Sequence, residues 1–371
     1  MKLSALCKVQ SGGTPARSKK EYWENGNIPW TKISDFEGKY LLTTEEKITE
    51  KGLECSSAKI FPKGTLLYTI FATLGEVCIL DIEAATNQAI AGIIIENDSI
   101  DREYLYYFLI SLKDQVNSIG RGVAQNNINM SILREIDVPI PERSEQQKIA
   151  LFLDRIDSLI SKRNQQLTVL DDLVKSRFIE LFEDPVSNPK KFDKRSLKDT
   201  CKVVTGNTPS RAVEEYYGDF VEWIKTDNIV SGMLNPTRAA EFLSEEGMKV
   251  GRLVEKNAIL MACIAGSIAS IGRVCVTDRT VAFNQQINAI VPKDYNPLFL
   301  YVLLQISKDY LIEDVSMALK GILSKSKLEE KEFIVPSIEL QEQFADFVAK
   351  VDKSKYCRCK SRTLLQKAAS I

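Results

Sequence analysis

The sequence contains no histidine in 371 residues. That removes Ser-His-Asp and Cys-His nucleophile systems and every histidine-bearing metal site. Its eight cysteines include no CxxC pair. Cys357 and Cys359 form a lone CxC, and reduced, structural cysteines are the expectation in a cytosolic chain. No apolar run approaches the ~18 residues needed to span a bilayer. The opening stretch, MKLSALCKVQSGGTP, lacks the long apolar segment of a secretory signal. A cytoplasmic protein without a membrane partner is expected. No G-x-x-x-x-G-K-[ST] stretch occurs, so ATP-driven work is not expected of this chain. An excess of one charge is missing too: 49 Lys and Arg stand against 50 Asp and Glu, a net charge of −1. A nucleic-acid partner would therefore need local basic patches, since the total supplies no field.

What is present is a repeat. SGGTP at Ser11–Pro15 returns as TGNTP at Thr205–Pro209, and the surrounding text returns with it. LCKVQSGGTPARSKKEYW resembles TCKVVTGNTPSRAVEEYY, and IPWTKISDF resembles VEWIKTDNI, aligning Trp30 with Trp223 and Lys32 with Lys225. LGEVCILD resembles IGRVCVTD, ATNQAIAGII resembles AFNQQINAIV, and EQQKIALFLDRID resembles LQEQFADFVAKVD. The offset stays between 193 and 197 residues. This is a tandem duplication of a unit of roughly 190 residues, far longer than a solenoid repeat. Cys7 aligns with Cys201 and Cys78 with Cys275, each in an apolar, β-branched setting that predicts a core position. Gly13 aligns with Asn207, the two residue types that best tolerate positive φ, which predicts a left-handed turn before Thr-Pro. Thr49 and Ser244 look like N-caps of short helices.

Each unit opens with short β-like runs (GTLLYTIF, GEVCILDI and AIAGIII in the first copy), followed by one helix, a polar loop and a strand ending at Pro139 or Pro336. That predicts a mixed α/β globule of ordinary domain size. From Ser144 to Glu183 there is no Gly or Pro. Ile149, Leu153, Ile156, Ile160, Leu167, Leu170 and Val174 recur in alternating four- and three-residue steps, with Arg163 and Arg177 at two seam positions. This is the heptad signature of a long helix packed on another helix, a rod of about 55–60 Å. The second copy repeats the seam at Phe344, Val348 and Val351, then places Lys355, Arg358 and Arg362 on it. DPVSNPKKFDKRS separates the units, its two prolines forbidding helix. The predicted order is globule 1–142, rod 143–183, linker 184–196, globule 197–338, rod 339–371. Antiparallel pairing of the rods needs the least chain to connect, and it would relate the globules by a pseudo-twofold axis. Paired modules on a dyad match the geometry of a reader of double-stranded DNA, with half-sites that differ because the modules have diverged.

SGGTP…EYW…IPWTKISD, a strand ending VPIP, and then EQQKIALFLDRIDSLI resemble the specificity subunit of type I restriction–modification systems. The resemblance covers the whole chain. It implies an α/β fold of two target-recognition domains separated by two long antiparallel helices forming a coiled coil. The implied function is a non-catalytic subunit that reads a bipartite, asymmetric DNA target. The implied partners are double-stranded DNA, two N6-adenine methyltransferase subunits docked on the helices, and restriction (translocase–nuclease) subunits. S-adenosylmethionine, ATP and Mg²⁺ would be bound only by those partners. The second copy departs from the pattern, with IVPSIELQEQFADFVAKVD in place of a clean P-x-P opening. The chain also lacks the (N/D)PP(Y/F) tetrad of an adenine methyltransferase. Glu37-Gly38-Lys39 fits half of a nuclease motif without its upstream Pro-Asp, and nuclease metal sites need several converging carboxylates. No catalytic and no metal residues are expected. A non-enzymatic coiled-coil adaptor binding proteins through two globular heads is the competing reading, which the near-neutral charge favours.

DNA contacts call for Lys and Arg at phosphates and for Arg, Lys, Asn, Gln, Ser or Thr at base edges. Two polar loops per unit supply them. In the first copy these are Lys19, Lys20, Thr31, Lys32, Ser34 and Asp35, then Arg121, Gln125, Asn126 and Asn127. In the second they are Arg211, Lys225, Thr226, Asp227 and Asn228, then Lys320, Ser324, Lys325 and Lys327. Trp30 and Trp223 read as core anchors. Asn87-Gln88 and Asn284-Gln285 recur as either turns or contacts.

Overall fold

The computed structural model describes residues 1–120, 128–313, 315 and 321–369. The chain divides into two compact units, residues 1–161 with 364–371, and residues 162–363.

The first unit contains strands β1 (Cys7–Ser11), β2 (Ile28–Thr31), β3 (Tyr40–Leu41), β4 (Glu46–Ile48), β5 (Ile60–Phe61), β6 (Leu66–Thr69), β7 (Val77–Leu80), β8 (Ala84–Thr86) and β9 (Ile90–Ile95). They form one sheet in the order β1-β9-β6-β7-β3 and another in the order β4-β2-β8-β5. All neighbours are antiparallel except β2–β8 and β3–β7. Helix α1 (Arg102–Ser111) follows, its first turn capped by the Asp101 carboxylate, which accepts from the Glu103 and Tyr104 amides. Strands β6 and β7 are buried on both faces. Leu66, Tyr68, Val77 and Ile79 share a core with Leu105 and Leu109 of α1. Leu67, Cys78 and Leu80 belong to a second core with Phe61, Ala84 and Ile90. Side chains alternate across a strand, so a strand between two cores must be apolar at every position, and LLYT and VCIL read that way.

The second unit repeats the plan with β10 (Cys201–Thr205), β11 (Val221–Ile224), β12 (Ile259–Ala262), β13 (Val274–Val276), β14 (Val281–Phe283) and β15 (Ile287–Pro292). The order β10-β15-β12-β13 matches β1-β9-β6-β7, and β11 runs parallel to β14 as β2 does to β8. Here Ile259, Met261, Val274 and Val276 form one core with the helix Pro297–Ile306, while Leu260, Ala262, Cys275 and Phe283 form the other. Both aligned cysteine pairs are buried. Burial pushes the Cys7 thiol up to about 12, Cys201 to about 11 and Cys275 to about 12, so these groups stay protonated. The register is the same in both copies but one facing pair differs: Thr31 faces Thr86 where the second unit sets Ile224 against Phe283.

The first long helix, α2, spans Arg143–Phe182, 40 residues, and pairs in the second unit with α4, Ile338–Ala369, 32 residues; we label the intervening Pro297–Ile306 helix α3. The two run antiparallel. Phe178 packs on Phe344 at 5.5 Å between ring centres, and seven residues earlier on α2 Asp171 meets Lys355, eleven residues later on α4. Positions 153, 156, 160, 163, 167, 170 and 174 are buried or half-buried, while Ile149 is 37% exposed. The buried stripe then leaves the heptad register. Phe178 and Phe182 are fully buried, whereas Arg177, at the seam position, is only half-buried and pairs with Glu180 at 2.7 Å. The cause is a second neighbour. Phe178 also stacks on Phe299 of α3 (5.8 Å) and Phe182 meets it edge-on (5.0 Å), so this end of α2 needs a face wider than a two-helix seam. The linker closes the helix: Glu183 takes φ 57°, and Lys190 Nζ donates to the Glu180 and Leu181 carbonyls at 3.2 and 2.9 Å.

Candidate nucleic-acid interface

The repeated Gly-x-Thr-Pro loop leaves the end of β1 or β10, and its glycine is a packing requirement. A Cβ on Gly12 would lie 2.0 Å from Thr86 Oγ1 and 2.4 Å from the Asn87 carbonyl oxygen. One on Gly206 would lie 2.2 Å from the Asn284 carbonyl oxygen. Neither Gly13 nor Asn207 has positive φ, so the left-handed turn expected there is not formed. The constraint falls one residue earlier, on the glycine that lets the loop touch the neighbouring strand. The Asn207 side chain instead bridges the Val250 carbonyl (2.9 Å) and the Arg252 amide (2.7 Å).

Three further contacts recur in both copies. Trp30 Nε1 donates to the Gly13 carbonyl (3.0 Å), and Trp223 Nε1 to the Asn207 carbonyl (3.3 Å), so both tryptophans are buried struts of the loop. Thr14 pairs with Gln88, and Thr208 with Gln285. Asn87 and Asn284 each fold an Asx turn, accepting from the amides of Ala89 and Gln286 (3.0 and 3.1 Å). The recurring Asn-Gln pair is thus a turn plus a clamp on the loop threonine.

On this platform stands an ion cluster. Arg17 lies over Trp23 (3.7 Å) and Trp30 (4.8 Å) and bonds Glu46. Lys32 bonds Glu45 at 2.7 Å and Glu46 at 2.8 Å. In the second copy Arg211 lies over Tyr217 (4.4 Å) and Trp223 (5.1 Å) and bonds Glu241 at 2.6 Å; Lys225 bonds the same carboxylate. Hydrogen bonds to Glu45 and then Glu46 raise the Lys32 pKa. Glu46 is pushed up by burial, but bonds from Arg17 and Lys32 outweigh that and hold it below the usual carboxylate range. Glu241 is held low chiefly by the Lys225 bond, against a burial penalty, with Arg211 adding to it. Glu46 and Glu241 therefore stay carboxylates, and Lys32 stays an ammonium, near neutral pH.

The expected contact residues fall into distinct places. Lys32 and Lys225 open tight turns, Ile33–Asp35 and Thr226–Asn228, that carry Ser34, Asp35, Thr226, Asp227 and Asn228. Asp35 and Asn228 accept from the backbone amides of Lys32 and Lys225 (2.8 and 2.9 Å), so both shape the turn; Ser34 and Asp227 point to solvent. Lys19 and Lys20 are exposed on the approach to the loop. Thr31 leaves the set: its side chain is wholly buried between strands and cannot reach a ligand. Ser324 caps the short helix Lys325–Glu330, on which Lys325 and Lys327 are exposed. Arg121, Gln125, Asn126, Asn127 and Lys320 lie outside the described residues. Arg17, Glu46 and Glu241 were missed, although Arg17 aligns with Arg211 and Glu46 with Glu241 at offsets of 194 and 195.

Each globule grips the start of its own helix through one buried glutamine. Gln146 accepts from the Asp101 amide (2.7 Å) and donates to the Ser99 and Pro141 carbonyls (2.8 and 2.9 Å). Gln341 accepts from the Asn296 amide (2.9 Å) and donates to the Asp294 and Pro336 carbonyls (3.4 and 2.8 Å). In the first unit Asp154 on α2 also bonds Lys39 and, at 2.6 Å, the Tyr107 hydroxyl. Elsewhere on α2, Leu151, Phe152 and Leu159 are about half exposed. Among the described residues no helix is long and apolar enough to cross a membrane.

The family described as Type I restriction modification DNA specificity domain matches the chain twice, over residues 1–169 and 189–357. The Type I restriction enzyme MjaIX specificity subunit of Methanocaldococcus jannaschii is 28% identical over 379 aligned positions, covering 94% of this chain and 85% of that one. The Type I restriction enzyme EcoR124I/EcoR124II specificity subunit of Escherichia coli is 27% identical over 171 positions, 44% of this chain and 42% of its own. Among solved structures, the S subunit of a type I restriction-modification system from M. genitalium shares the fold, with a TM-score of 0.57 at 16% identity over 100% of this chain and 93% of that one.

Proposed function

The chain belongs to the type I restriction modification DNA specificity family, and from that premise we propose that it is the DNA-reading, non-catalytic subunit of a type I restriction–modification complex. Each globule reads one half of a bipartite, asymmetric target. The antiparallel helices set the spacer between the halves and dock two methyltransferase subunits, on which restriction subunits assemble. S-adenosylmethionine, ATP and Mg²⁺ belong to those partners.

The observation that carries this reading is the duplicated site. One chain builds the same loop, tryptophan strut, arginine and lysine twice, on globules whose exposed turn residues differ: Ser34 in one, Asp227 in the other. A common frame with different exposed side chains suits two half-sites of different sequence. Leu151, Phe152 and Leu159, apolar and about half exposed on α2, suit a helix that works inside an assembly.

The test exchanges residues 1–142 for the first globule of another family member and maps adenine methylation in cells by single-molecule sequencing. One half of the methylated motif should change while the other half and the spacer persist. A motif altered in both halves, or unchanged, would refute the division of labour. The adaptor alternative forecasts no salt-dependent DNA affinity, whereas phosphate neutralisation demands a steep salt slope.

A further inference from the structure

We propose that Glu46 and Glu241 determine specificity: each carboxylate occupies the seat of a DNA phosphodiester between an arginine and a lysine, and so weakens binding to non-target DNA. This rests on the DNA-reading function proposed above. The two carboxylates are shared in the same way in both copies. Oε2 of the glutamate takes the arginine and Oε1 takes the lysine: Arg17 and Lys32 on Glu46, Arg211 and Lys225 on Glu241. Two oxygens of one anion bridging a guanidinium and an ammonium is also how the non-bridging oxygens of a phosphodiester would be held. The aromatic rings beneath Arg17 and Arg211 fix where the forks stand.

Stability accounts for only part of the arrangement. The lysines and glutamates are half-buried, but the arginines are 52% and 54% exposed, where ion pairs contribute little. Charge bookkeeping points to the ligand. A protein of net charge −1 that binds a polyanion depends on local cations, and here the arginine and lysine of each cluster already hold a carboxylate between them. A phosphate must displace an internal carboxylate, so a loose encounter gains little and only a closely fitted duplex gains enough. The copies differ in charge. The first has two carboxylates, Glu45 and Glu46, for two cations, while Ala240 stands where Glu45 does, so the second cluster keeps one positive charge in excess.

The experiment uses the full chain assembled with its methyltransferase subunits. Equilibrium binding to the mapped target duplex and to a scrambled duplex is measured over a salt series for wild type, E46Q, E241Q, E46D and E241D. Each Gln variant should bind the scrambled duplex more tightly. Its log–log salt slope should steepen by up to about 0.9, or about eightfold more affinity for each tenfold drop in salt. The target-to-scrambled ratio should fall, and the Asp variants, which keep the charge, should behave as wild type. Salt-dependent wild-type binding with unchanged slopes in the Gln variants, or weaker binding to both duplexes, overturns the proposal alone. Wild-type binding without salt dependence removes the DNA-reading function, and the proposal with it.

Discussion

Replacing Gln146 by leucine tests how the first globule holds its helix. Gln146 is wholly buried, and its three hydrogen bonds all go to main-chain atoms: the Asp101 amide and the Ser99 and Pro141 carbonyls. Leucine fills nearly the same space and serves none of them. A buried polar group left unpaired costs about 1–3 kcal/mol, and one amide plus two carbonyls that regain part of their hydration sum to about 3–5 kcal/mol. A Gln146→Glu variant sharpens the test. Its carboxyl keeps an acceptor for Asp101 but faces two carbonyls in a dry site, so the neutral acid is favoured and its folded pKa lies above the unfolded ~4.3. Its stability is then highest below pH ~4.3 and is lost as pH rises through the folded value. The assay is urea denaturation of the full chain carrying Trp223→Phe, which leaves only Trp23 and Trp30, both in the first unit, to report. A loss under about 1 kcal/mol for Q146L, or a Q146E variant less stable at pH 5 than at pH 8, would refute the reasoning.

Two other predictions concern buried groups. Thr31 Oγ1 is buried without a hydrogen-bond partner, and the second copy carries Ile224 at its position; Thr31→Val should raise stability by about 1 kcal/mol, and a lowered melting temperature would count against it. Among the described cysteines Cys55 alone is exposed. In a Cys357→Ser, Cys359→Ser background, a disulfide-exchange reagent at pH 8 should therefore label one thiol per native chain quickly and the other five only on unfolding. Because the Cys7 pKa rises from 9.0 to about 12 on folding, its stabilising contribution is complete below pH 9. That contribution is lost between 9 and 12 at about 1.4 kcal/mol per pH unit, and alkaline melts of Cys7→Ala should lack it.

The duplication, the strands and the long helices were legible because each is written in local pattern: apolar runs, a heptad seam, and text that returns at a near-constant offset. The burial of Trp30 and Trp223 was legible too, but their hydrogen bonds to the loop carbonyls were not. Phe178 and Phe182 escaped because the seam was read as a two-helix contact, and the third neighbour, Phe299, lies more than a hundred residues away. Arg17 and Glu46 are separated by 29 residues and meet only once β2 and β4 pair. Polar residues carry no periodicity, so nothing in the line of text marks them as partners. Gly13 was assigned a turn on residue preference alone, while close strand contact at Gly12 was the actual constraint.

The glutamine grip has a consequence for the gene. Everything Gln146 and Gln341 hold is main chain, so neither demands a particular side chain from the globule it fastens. A recombination crossover near codon 142 would hand the helix a foreign head, and the foreign backbone, following the same path, would be gripped at once. Novelty in what is read could then arise in a single genetic exchange, without compensating substitutions in the stalk.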